Sequence, residues 1–141
     1  MITNAAITIY NRRRSGRNSV LIPTVISEAS WFYGRRTRGE GGQYKFIDNE
    51  DSYYVRIPYG ADTSGKTYVN PAQYAVMTDE EAAGYWTIQI DDIVLKGEYT
   101  SEVNDDRALR ELTDDLFVVN TFADNTIRGS DAVKHWRIGG L

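Results

Sequence analysis

Few residue types in this chain can do chemistry, and their spacing is uninformative. Cysteine is absent and histidine occurs once, at His135, which excludes thiolate nucleophiles, cysteine-ligated metals and disulfide frameworks. His135 stands in Lys134-His135-Trp136-Arg137-Ile138, a strand-like run with no carboxylate or second ligand at catalytic or metal spacing. We read His135, Trp136 and Arg137 as a C-terminal interface. The pairs Asp91-Asp92, Asp105-Asp106 and Asp114-Asp115 offer hard oxygens but lack the alternating acidic positions and closing glutamate of a calcium loop, and each reads as a solvated turn. Gly39-Glu40-Gly41-Gly42 lacks the Gly-Lys-Ser/Thr that opens a phosphate-binding helix. No catalytic residue, metal ligand or cofactor is expected, and an enzyme is the least favoured class.

Arginine is the residue with more to say. Two clusters, Arg12-Arg13-Arg14 with Arg17 and Arg35-Arg36 with Arg38, lie in glycine-containing stretches beside strands. The planar guanidinium suits carboxylate or phosphate, so these arginines are expected to face a protein partner or DNA backbone, against the plainer reading of loop solubility. No helix-turn-helix or zinc-finger pattern accompanies them, and the chain as a whole is acidic, with net charge −4. The charge is also split along the chain. Residues 1–46 hold eight bases against two acids, and residues 47–141 eight bases against eighteen acids. Opposite charges on different faces of one small body favour contact with another charged surface, including a second copy.

The elements that must position these residues are mostly strands. A length of 141 residues, 41% hydrophobic and 26% charged, suits one domain over residues 1–141 with one core. The longest apolar runs are far below the roughly 20 residues that span a bilayer, and the polar start lacks a signal-peptide layout, so synthesis and use in the cytosol are expected. Ten Tyr, four Phe and three Trp, many in alternating segments, indicate a β-rich fold. Strands are predicted around Ala6–Tyr10, over Ser19–Tyr33 with Pro23 marking an edge or bulge, at Asp51–Ile57, Tyr85–Ile90 and Ile93–Leu95, and in a C-terminal hairpin of Leu116–Phe122 with Val133–Ile138. Thr78-Asp79-Glu80-Glu81 has the form of a capping box for a turn or two of helix. Ser101–Leu112 is the better helix candidate, though Asn104, Asp105 and Asp106 lower its propensity. Gly34–Gln43 reads as a flexible loop whose glycines Gly34, Gly39, Gly41 and Gly42 permit gating or partner binding. The sum is a small β-barrel or sandwich with long loops and one short α-helix.

Three stretches then carry a resemblance: the opening Met1-Ile2-Thr3-Asn4-Ala5-Ala6-Ile7-Thr8-Ile9-Tyr10-Asn11, the central Asp92-Ile93-Val94-Leu95-Lys96-Gly97-Glu98, and the ending from Phe117-Val118-Val119-Asn120-Thr121-Phe122 to His135-Trp136-Arg137-Ile138-Gly139-Gly140. In this order they resemble small head-tail joining proteins of tailed bacteriophages that infect Gram-positive bacteria. The resemblance implies a head-closure or stopper protein of the virion neck, made in the host cytoplasm. Its implied partners are further copies in a hexameric or dodecameric ring, a portal or adaptor above, a tail terminator or tail tube below, and packaged DNA through non-specific contact. A tail terminator or adaptor is the near alternative. A carbohydrate- or nucleic-acid-binding β-barrel, stacking its ligand on Trp31, Tyr33, Tyr53 or Tyr54, is the distant one.

Overall fold

A computed structural model describes residues 2–16, 18–37 and 49–141. The strands are β1 (Ala5–Ser15), β2 (Asn18–Thr37), β3 (Asn49–Pro58), β4 (Thr67–Tyr68), β5 (Tyr85–Trp86), β6 (Ile93–Lys96), β7 (Leu116–Asn125) and β8 (His135–Gly140). Three short helices, α1 (Pro71–Val76), α2 (Asp79–Ala82) and α3 (Asp106–Arg110), lie between them. Six strands close into a barrel in the order β1-β2-β3-β8-β7-β6, and β4 pairs with β5 outside it. The protein is mostly β, and the expected barrel or sandwich is a barrel.

Alternation builds the interior. Ile7 and Ile9 of β1 point inward with Ile26, Trp31, Val55, Ile57, Val94, Phe117 and Ile138, all buried in one cluster. The opposite face of the same strands is also covered: Tyr10, Leu21, Ile93, Leu95 and Leu116 enclose Leu109 of α3 in a second cluster. This second layer makes β1 and β6 apolar on both faces, as the compact run Ile93-Val94-Leu95 foreshadows. The Tyr10 hydroxyl donates to the Ser101 carbonyl at 2.9 Å and secures the layer's edge.

β2 serves two partners in succession. Residues 18–29 pair with β1, and residues 30–37 pair with β3. Between Ala5 opposite Ala29 and Ile7 opposite Ile26 the register shifts, so Ile26 and Ala29 both stay buried despite their odd spacing. Pro23 sits where the sequence suggested, on a strand edge. Its carbonyl accepts from Lys66 Nζ at 2.9 Å instead of from β1, and because a strand residue's N and O point the same way, its missing N–H costs no ladder bond. The rest of that edge is capped by Val103, which exchanges two backbone bonds with Leu21, and by Ser27 donating to the Asp62 carbonyl.

Several local expectations change. Gly34 lies within β2, so the segment 34–37 is strand; Gly39, Gly41 and Gly42 lie outside the described residues. α3 is only Asp106–Arg110 and is capped by Asp105, whose side chain accepts from Ala108 N, not by Ser101. Val103 is drawn into its bridge with Leu21 instead. The Thr78 capping box forms as predicted. Tyr85–Ile90 is a strand only over Tyr85–Trp86, because the side chain of Asn11 bonds the backbone of Thr87 in place of a neighbouring strand.

The final strand leaves no room for a side chain at Gly140, where an added Cβ would lie 2.0 Å from the Val118 carbonyl oxygen. Gly140→Ala is expected to lower the unfolding free energy by about 3 kcal/mol or more through overpacking, whereas Gly60→Ala, with nothing within 4 Å of the new Cβ, should change it by less than about 0.5 kcal/mol. Urea unfolding of both variants checks this contrast.

Candidate partner interface

The arginine triplet is divided by strand alternation. Arg13 shares the inward face with Ile7, Ile9 and Asn11, while Arg12 and Arg14 point out. Arg13 is therefore not a partner-facing residue. Only 8% exposed, its guanidinium donates to the Tyr74 carbonyl at 2.8 Å, to the Met77 carbonyl and to Asp79 Oδ1 at 3.1 Å, and it stacks 5.0 Å from the Tyr74 ring. A buried cation needs such partners. Arg12 pairs with Asp106 at 2.8 Å on the surface, where the bond contributes little, and Arg14 is exposed. Arg17 and Arg38 lie outside the described residues; Arg35 and Arg36 lie in β2, in register with Asp51 and Glu50.

Beside the triplet stands a carboxylate that is no solvated turn. Asp91 is exposed, with φ +75°, but Asp92 is buried. It accepts from Asn11 Nδ2 at 2.8 Å, from Arg12 N at 3.0 Å and from Gln89 Nε2 at 3.2 Å. Burial pushes its pKa up to about 6, against the opposing pull of these donors. A cleft of about 500 Å³ is lined by Asp92 itself with Arg12, Arg14, Gln89 and Asp91. General-base chemistry needs a free lone pair facing substrate. The Asp92 oxygens are engaged by three donors that hold β1 to the 87–92 segment.

The C-terminal strand alternates in the same way. Trp136 turns inward, 5.0 Å from the Trp86 ring and 5.2 Å from Tyr68, and belongs to the core instead of an interface. His135 is held at the end of β8: Nδ1 lies 2.8 Å from the Val133 carbonyl and Nε2 3.3 Å from Asn125 Nδ2, which fits a ring that donates from Nδ1 and accepts at Nε2. Among the described residues no group of three or more His, Asp or Glu could hold a metal ion. Arg137 faces outward, as an interface residue would.

Arg137 has company that charge clustering along the chain does not reveal. Arg56 of β3 is its direct cross-strand partner, and both guanidiniums flank the Tyr54 ring, at 5.4 and 5.9 Å from its centroid. Phe32, opposite Tyr54 on β2, is 63% exposed. Its ring lies over Gly34, where an added Cβ would come within 2.8 Å of Cε1, so Gly34 makes space for an aromatic side chain on this face. Burial alone would raise the Tyr54 pKa, but the two arginines bring it below the ordinary phenol value. Neither arginine forms an ion pair among the described residues. Like charges directly opposite on neighbouring strands are destabilising, so this patch holds unneutralised positive charge beside exposed aromatic surface. The signal for it is the alternation of Tyr53, Val55 and Ile57 against Tyr54 and Arg56. Of the other aromatics considered for stacking, Trp31 is buried and Tyr53 is packed against it at 5.6 Å.

Fold and surface together define a small closed β-barrel with an arginine-aromatic outer face. The chain belongs to DUF6751, a family of unknown function whose model matches residues 2–141. No curated protein and no solved structure matches it. No helix among the described residues is long and apolar enough to cross a membrane.

Asp92 supplies a pH test. Its folded-state pKa is raised, so its contribution to stability is complete below about pH 3.8 and lost as pH rises through about 6, a change of roughly 3 kcal/mol. The unfolding free energy of Asp92→Asn relative to the wild type is therefore expected to improve between pH 4 and pH 7. Urea titrations at both pH values measure it, and a difference that does not move would contradict the burial of an ionisable Asp92.

Proposed function

We propose that this protein is a structural subunit of the head-tail connector of a tailed bacteriophage. Its most fitting place is a head-closure ring, which retains packaged DNA and presents a docking surface to the tail. The observation that carries the reading is the exposed Arg56–Arg137 pair around Tyr54, beside Phe32, on the rigid wall of a closed barrel. Arginine and aromatic residues on a rigid surface are what a protein interface uses as anchors. The resemblance of the opening, central and closing segments to head-tail joining proteins supports the position in the neck.

The work of such a subunit is mechanical. A ring wall must resist deformation, and the fully bonded barrel with a second apolar layer over β1 and β6 suits that. Copies in a hexameric or dodecameric ring, a portal or adaptor above and a tail terminator or tail tube below are the partners that go with this role; packaged DNA is a further contact for outward arginines such as Arg14. A tail terminator or adaptor is the near alternative, since barrel and patch would serve either layer.

Electron microscopy of particles from a phage lacking this gene separates the layers. Head closure predicts heads that package and then lose DNA beside normal free tails. Full heads beside tails of irregular length would move the protein to tail termination, and normal infectious particles would overturn the connector reading altogether.

A further inference from the structure

The positive patch has a counterpart on the same molecule. Residues 98–115 hold seven acids against two bases, and this segment is the second layer: Leu109 anchors it over the outward side chains of β1 and β6. Glu98, Glu102, Asp105, Glu111, Asp114 and Asp115 are exposed, and none forms an ion pair among the described residues. Asp106 pairs with Arg12.

The barrel order fixes where the two surfaces lie. In the ring β1-β2-β3-β8-β7-β6, strand β3 stands across from β6 and β8 across from β1. The Arg56–Arg137 face on β3 and β8 thus lies on strands opposite those under the acidic layer, which reaches β3 only where Arg110 and Asp114 share a cleft with Tyr53. Each side also exposes an apolar residue beside its charges, Phe32 at 63% on the basic face and Leu112 at 45% on the acidic one.

We propose that the Arg56–Arg137–Tyr54 face of one copy receives the acidic 98–115 layer of a second copy, a head-to-tail contact repeated from subunit to subunit. A two-fold dimer through either face would set like charge on like. Opposite charges on opposite sides favour the heterologous arrangement, in which one surface meets a different surface on the next copy and the chain of contacts closes into a ring or runs on as a filament. The contact supplies a counter-charge to the cross-strand arginine pair, which forms no ion pair among the described residues. The inference rests on the reading of the chain as an assembly subunit and shares its Arg56–Arg137 face; the acidic 98–115 layer is what it adds.

The absence of cysteine makes the test direct. Chains carrying Arg137→Cys and size-tagged chains carrying Glu111→Cys, both exposed positions, are mixed at low ionic strength and treated with a short bismaleimide. The expected product is predominantly the mixed dimer, with each like-with-like dimer several-fold weaker, and a ladder of multimers from the chain bearing both cysteines. Adding Arg56→Glu to the Arg137→Cys chain, or about 0.5 M salt, should reduce the mixed dimer several-fold, with circular dichroism confirming that the variant is folded. Equal yields of the three dimers, predominance of a like-with-like dimer, or no cross-linked product would overturn the proposal. Cross-linking with a normal deletion phage would keep the contact and remove the neck role; leaking heads without cross-linking would keep the role and remove the contact.

Discussion

The structure depends on a change of chemistry halfway along one strand face. The inward residues of β1 run Ile7, Ile9, Asn11, Arg13, so the apolar interior gives way to an amide and then a cation while still facing in. Neither can be left unpaired in a buried setting. Asn11 therefore takes the backbone of Thr87 and the carboxylate of Asp92, and Arg13 takes two carbonyls at the end of α1 and the acid that opens α2. These bonds hang the whole 70–92 segment on the end of the barrel and seat Trp86 and Ile88 in its core. A buried polar network of this kind specifies one arrangement because every alternative strands a donor or an acceptor.

That arrangement determines which charges remain for the outside. The first arginine cluster is largely consumed locally, Arg13 by burial and Arg12 by Asp106. Besides Arg14 of β1 and Lys96 of β6, positive charge without an ion pair among the described residues gathers on β3 and β8, where Arg56 and Arg137 stand side by side. The acidic surplus collects over β1 and β6, because that is where the second apolar layer needs a covering segment and α3 supplies it. Segregation of charge across the barrel is a consequence of packing. The division along the sequence into a basic first third and an acidic remainder does not describe it.

Much of the barrel is legible in the sequence because period-two alternation survives in β1, β3 and the C-terminal hairpin, and because the capping box at Thr78 and the proline at 23 have fixed geometric meanings. What is illegible depends on distant partners. The residue type does not mark Asp92 as buried: it is the second of two adjacent acids, like Asp115, and its donors include Asn11 and Arg12, far off in the chain. Tyr85–Ile90 alternates like a strand, but its backbone is claimed by a side chain. The expected helix over 101–112 shrinks because Val103 completes the edge of β2. The interface residues follow the same rule. Arg137 is visible as an exposed cation in an aromatic strand, whereas its pairing with Arg56 is a matter of register that no composition profile contains.

Inward and outward arginines have opposite roles in this barrel, and thermal unfolding compares them most directly. Arg13→Gln should lower the melting temperature by roughly 6 °C or more, from the loss of about 2 kcal/mol or more of buried bonding. The Arg56→Gln/Arg137→Gln double variant should leave it unchanged or raise it slightly, since an unfavourable cross-strand pair is removed. A large loss in the double variant, with Arg13→Gln unaffected, would contradict this division between a buried structural arginine and an exposed pair.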